Sequence, residues 1–95
     1  MFRITKIFDD SSLTIYRIEG KIGDESLQIW TDELHALPKP PGHKLILDFC
    51  HVWSIDGKAV EILMTSLSND FQVMNPSMEI RNRLHAAGLS DRVLA

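Results

Sequence analysis

The sequence predicts an α/β domain of order β-β-α-β-α-β-α. The expected architecture is a mostly parallel sheet of four to five strands, with an N-terminal antiparallel hairpin and helices packed mainly on one face. Three observations carry this expectation. The opening residues alternate apolar and polar side chains; a short continuous apolar run, "KLILDF", sits mid-chain; and the segments on either side of that run space their apolar residues three and four apart. Strands that alternate with helices are joined by right-handed crossovers, and these place the strands parallel.

The elements follow in order. "FRITKIF" puts Phe2, Ile4 and either Ile7 or Phe8 on a strand, although the strict period breaks near its end. "DDSS", residues 9–12, is turn chemistry, because short polar side chains bond nearby backbone groups. "LTIYRIEGKI" alternates cleanly, with Leu13, Ile15, Arg17 and Glu19 on one face and Thr14, Tyr16 and Ile18 on the other, so the two segments form a hairpin. In "GDESLQIWTDELHALP" the period changes. Leu27, Trp30, Leu34 and Leu37 fall along one helical stripe, and Glu25, Gln28, Asp32 and His35 fall on another face. Asp24 is placed to accept from first-turn amides, and "PKPPG" ends the helix.

"KLILDF" is short, apolar and flanked by glycine and proline, which favours a strand buried on both faces. "CHVWSI", residues 50–55, reads as a loop leading to a helix from about Gly57 to Leu67. Ala59, Ile62, Leu63 and Leu67 form the inward stripe of that helix; Lys58, Glu61 and Thr65 face out. Asp56 is its N-cap, accepting from the amide of Lys58 or Ala59. "FQVM" is another strand. Asn75 caps the last helix with Pro76 at its first position; Met78, Leu84 and Ala87 lie along it, and Gly88 is a left-handed stop.

At 95 residues the chain is a single domain, residues 1–95, near the lower end of what buries a self-sufficient core. Its net charge of −3 lacks the clustered Lys and Arg that nucleic acid or anionic lipid demands. Arg81, Arg83 and Arg92 are interleaved with Glu79 and Asp91, which marks a solvated helix face. With Cys50 as the one cysteine, no intrachain disulfide forms. There is no signal layout and no membrane-length apolar run, so a cytoplasmic protein is expected, without cofactor or direct membrane insertion. His35, His43, His51 and His85 show no metal-ligand spacing. Cys50 and His51, adjacent on an extended segment, point opposite ways, and a buried, inert Cys50 is expected. Asp48 and Asp56 as an acid/base pair, or a small hydrolase or phosphocarrier using them or His51, would need a second supporting constellation; none is present, and no enzyme is expected.

Taken together, "LILDFCHVWSIDGKAVEILM" and "FQVMNPSMEIRNRLHAAGLSDRVL" resemble the STAS domain, the fold of bacterial anti-sigma-factor antagonists. The resemblance covers essentially the whole chain and is most specific from Leu45 to Leu94. Leu47-Asp48 matches the family's strand end, Val52 and Ile55 match apolar positions of its loop, and Asp56 falls on its helix-start aspartate. Gly57 falls on the serine that partner kinases phosphorylate, and Lys58, Ala59 and Val60 take the places of the second serine, the glycine and the leucine. Asn75-Pro76-Ser77 and Gly88-Leu89 fit the last turn and the last helix end. The connection after the second helix is shorter than is usual in the family.

The resemblance implies a non-catalytic, regulatory protein–protein interaction domain. Its expected contact surface is Cys50, His51, Val52, Trp53, Ser54 and Ile55 together with Asp56, Gly57, Lys58 and Glu61. The implied partner is an anti-sigma-factor kinase or related regulator, and a homodimer is compatible with the sequence. Phosphorylation needs a hydroxyl, which Gly57 lacks, so the usual switch is absent; Ser54 is the nearest substitute. Trp53 is read equally as a core residue or as an exposed anchor. A second reading keeps the fold and makes the chain the STAS subunit of an ABC-type lipid or anion transport system.

Overall fold

The computed structural model describes residues 1–38, 40–67 and 71–94. Strands β1 (Phe2–Asp9), β2 (Leu13–Ile22), β3 (Lys44–Ile55) and β4 (Phe71–Met74) form one sheet in the order β1-β2-β3-β4. The β1–β2 pair is antiparallel and the other two pairs are parallel. Helices α1 (Leu27–Ala36) and α2 (Gly57–Ser66) fill the connections from β2 to β3 and from β3 to β4, α3 (Met78–Ala86) follows β4, and α1 is preceded by a short 3-10 turn, Asp24–Ser26. The connection 68–70, expected to be short, lies outside the described residues.

The hairpin forms as its alternation demands. Tyr16 and Ile18 are buried, whereas Leu13, Ile15, Arg17 and Glu19 lie half-buried on the opposite face. A bulge between Lys6 and Phe8 is the physical origin of the broken period at the end of β1. In the turn, Asp10 Oδ1 accepts from the amides of Ser12 and Leu13, both at 2.8 Å. The Ser12 amide, above all, holds the Asp10 carboxyl below its ordinary range. Thr14 Oγ1 donates to Asp9 Oδ1 at 2.9 Å, and this bond is the main reason the Asp9 carboxyl is also lowered. The single hydroxyl proton of Thr14 is thereby committed, so His43 Nε2, 2.7 Å from the same oxygen, is the donor that ties β3 to the hairpin.

The core lies between one sheet face and the helices. Leu47 and Phe49 of β3, Val73 of β4, Trp30 and Leu34 of α1, Ala59, Val60 and Leu63 of α2, and Ile80 and Leu84 of α3 belong to one buried cluster. Trp30 is wholly buried, and its Nε1–H donates to the Ala59 carbonyl at 3.0 Å, which joins α1 to α2 while satisfying the indole. Its ring meets Phe2 edge-on at 5.3 Å.

Several local expectations are corrected. Asp24 does not cap α1: its φ is +48°, and Ser26 closes that turn instead, its Oγ donating to the Gly23 carbonyl at 2.7 Å and accepting from the Gly23 amide at 3.2 Å. On α2, Val60 is buried and Ile62 only half-buried, so the inward stripe is rotated toward Val60. The cap of α3 is Ser77, which accepts from the Ile80 amide at 3.3 Å, not Asn75. Asn75 is left-handed at φ +59°, a conformation asparagine tolerates, and it turns the chain out of β4 before a buried Pro76. Met78 is 76% exposed; Ile80 takes the core position instead. Gly88 does stop α3, with φ +85° and a bond from the Leu89 amide to the Leu84 carbonyl at 2.9 Å.

Candidate functional site

Residues 50–55, read from sequence as a loop, are strand. Strand β3 runs unbroken from Lys44 to Ile55 because β2 continues alongside it and satisfies its backbone groups. Partners on β2 and β3 advance unequally: Arg17↔Asp48 is followed by Glu19↔His51, and Gly20↔Val52 by Lys21↔Ser54. Each step leaves one extra residue on β3, so the strand carries two bulges. Inward positions then fall at Phe49, Val52 and Ile55, three apart, and the period-two signature of a strand is erased.

The bulges decide what the segment shows to solvent. Val52 and Ile55 are buried in the core and withdraw from the expected contact surface. Cys50 is exposed, against the expectation of a buried thiol, and His51 beside it is exposed too. The Cys50 amide donates to Asp48 Oδ1 at 3.0 Å. Trp53 is 79% exposed, which resolves the choice left open for it, and Ser54 is half-buried opposite Lys21.

The strand turns into α2 at Asp56. Oδ1 of Asp56 accepts from the Ala59 amide at 2.8 Å, the expected N-cap bond. Its other oxygen reaches a distant part of the chain, accepting from the Asp24 amide at 3.2 Å. The Asp56 amide itself donates to the Ile22 carbonyl at 3.1 Å. One carboxylate therefore holds the end of β2 against the start of α2. Gly23 makes room for it: an added Cβ would stand 2.5 Å from Asp56 Oδ2, and its φ of +153° is one that side chains avoid. Sequence reading did not single out Gly23, whose signal was a glycine at the end of an alternating strand.

Gly57, Lys58 and Glu61 are exposed on the first turns of α2. No positive φ is required at Gly57, and a Cβ there would meet nothing within 4 Å. The first turn of α2 holds no acidic residue, and Lys58 occupies it against the helix dipole. Asp48 is only 6% exposed in its side chain and lies 3.6 Å from Arg17 Nε. Asp48 is thus held by Arg17 and the Cys50 amide, and Asp56 by the Ala59 and Asp24 amides.

No protein-family model and no curated protein matches this chain. Among solved structures it is similar to the anti-sigma factor antagonist SpoIIAA in its unphosphorylated form, with a TM-score of 0.71 and 17% identity over 97% of this chain and 86% of that one. It is also similar to an anti-sigma factor antagonist from Mycobacterium paratuberculosis, with a TM-score of 0.77 and 18% identity over 96% of this chain and 81% of that one. The likeness is one of fold: the chain folds as a STAS-like domain, with the mixed sheet and three helices that the sequence led one to expect. No helix among the described residues is long and apolar enough to cross a membrane.

Proposed function

We propose that the chain is a non-catalytic regulatory domain of the anti-sigma-factor-antagonist type, and that it binds a protein partner through the corner where β3 becomes α2. The contact surface is Cys50, His51, Trp53 and Ser54 on the strand with Asp56, Gly57, Lys58 and Glu61 on the helix start. The observation that carries this reading is the contrast at the corner. Its frame is tied down by Asp56, while the residues beside the cap are open to solvent and include a 79% exposed tryptophan. A large aromatic beside a rigid, charged rim is the kind of anchor that dominates protein interfaces.

Binding at this corner runs without the covalent control usual in the family. Gly57 has no oxygen to esterify, and Asp56 already supplies the fixed negative charge that the start of a helix favours. Lys58 is held there at a small cost in helix stability, consistent with a role toward an acidic partner.

The test is binding and mass mapping with an anti-sigma kinase and ATP. The domain should bind without modification at residue 57, and Lys58→Glu should weaken binding several-fold while stabilising the fold by about 0.3–1 kcal/mol through the helix dipole. A phosphate on Ser54, or unchanged affinity in both Lys58→Glu and Trp53→Ser, overturns the reading.

A further inference from the structure

The sheet face turned away from the helices carries side chains arranged in rows across the strands. Phe8, Ile15, Ile46 and Gln72 are aligned by strand register; the next row is Thr5, Arg17, Asp48 and Met74, and the next Arg3, Glu19 and His51. Trp53 lies beyond, just before Ser54, which pairs with Lys21. Phe8 is 45% exposed and Trp53 79%, and Ile15, Ile46 and Met74 are half-buried. Such a face, apolar at both ends and charged between, is unusual on a side left to water.

We propose that a second copy of this chain packs on that face, sheet against sheet, about a two-fold axis lying across the strands between the Arg17 row and the Glu19 row. A two-fold contact presents the same patch from both sides, so the pattern must complement itself when reversed. Here it does. The operation sets Trp53 over Ile46 of the second copy, near its Phe8 and Ile15, and sets Glu19 over Arg17 of the second copy. The charges are available for this pairing. Asp48 approaches the Arg17 guanidinium at 3.6 Å yet leaves its side chain 40% exposed, and Glu19 is 37% exposed with Arg3 held only loosely at 3.8 Å. Beside Trp53 a shallow groove of about 550 Å³, bounded by Glu19, Gly20 and His51, faces the Arg17–Asp48 row of the second copy and leaves room for those charged side chains. Aligned sheets pack about 10 Å apart in this way.

The open face shares His51 and Trp53 with the surface proposed for a protein partner, so the two contacts compete. Sedimentation of the chain alone reads the self-contact with no partner present, and Glu19→Arg separates the two because Glu19 lies outside the partner surface. The test is sedimentation equilibrium of the full chain from about 1 µM to about 1 mM, the range spanned by weak to moderate affinities. The expected result is a concentration-dependent doubling of mass. Trp53→Ser and Glu19→Arg should each raise the dissociation constant at least about tenfold with the circular dichroism spectrum unchanged, since both side chains lie at the surface. Ile29→Ser, which removes an exposed apolar residue from α1, should leave it unaltered. A chain that stays monomeric throughout overturns the proposal. So does a dimer that survives Trp53→Ser and Glu19→Arg, or one broken by Ile29→Ser.

Discussion

Two glycines stand on either side of Asp56, and they do opposite things. Gly23 adopts a φ of +153°, and a Cβ added there would stand 2.5 Å from Asp56 Oδ2, so the backbone itself demands the missing side chain. Gly57, one residue after the cap, has ordinary helical geometry and open space where a Cβ would go. The comparison separates two meanings of the same residue. At position 23 glycine builds the corner. At position 57 nothing in the fold asks for it, because a Cβ there would meet nothing within 4 Å.

The sharpest way to break this contrast is Gly23→Ala. Forcing a side chain into that conformation costs roughly 1–3 kcal/mol, and displacement of Asp56 adds to it. Denaturant unfolding should show a loss at the upper end of that range or beyond, and a change within about 0.5 kcal/mol would remove the structural role given to Gly23. Next comes Asp56→Ala, expected to cost about 1–2 kcal/mol because it frees the Ala59 and Asp24 amides together. Asp56→Asn keeps an acceptor for the cap and should recover most of that. Gly57→Ala should act in the other direction, raising stability by about 0.4–1 kcal/mol by restricting the unfolded chain. If it destabilises instead, position 57 is under a backbone constraint after all.

The smallest expected effect lies at the other end of the sheet, where the carboxylates act locally and not across the chain. Asp9 and Asp10 are both held below their ordinary value of 3.8 by hydrogen bonds. The unfolded chain therefore takes up protons first as pH falls. The stability these groups contribute is complete above about pH 5 and is lost as pH drops through their folded values. Asp10→Asn should flatten that part of the stability–pH curve without altering the neutral plateau's shape, as followed by denaturation at a series of pH values.

The Asp56 corner also shows how far sequence reading reaches. The N-cap was legible because an aspartate before a helical stripe satisfies first-turn amides within a few residues of itself. Its second bond, to an amide 32 residues earlier, left no mark in the sequence. Trp53 looked equally suited to core and surface, because the bulges that turn it outward depend on how β2 and β3 advance past each other. At the start of α3 the choice among Asn75, Pro76 and Ser77 was a matter of two residues, and the left-handed turn at Asn75 decided it.

Hydrophobic periodicity alone determined the hairpin, the α1 stripe with Trp30 and Leu34, and the strand–helix alternation that makes the sheet mostly parallel, because each of these signals is written within a single element. So did the simple chemistry of residue 57, which carries no hydroxyl in any fold. Only the tertiary structure decided that residues 50–55 extend a strand, that Cys50 and Trp53 face solvent while Val52 and Ile55 do not, and that one carboxylate joins two distant turns. Those outcomes depend on backbone groups finding partners on a neighbouring strand, and a chain read one residue at a time does not contain that pairing.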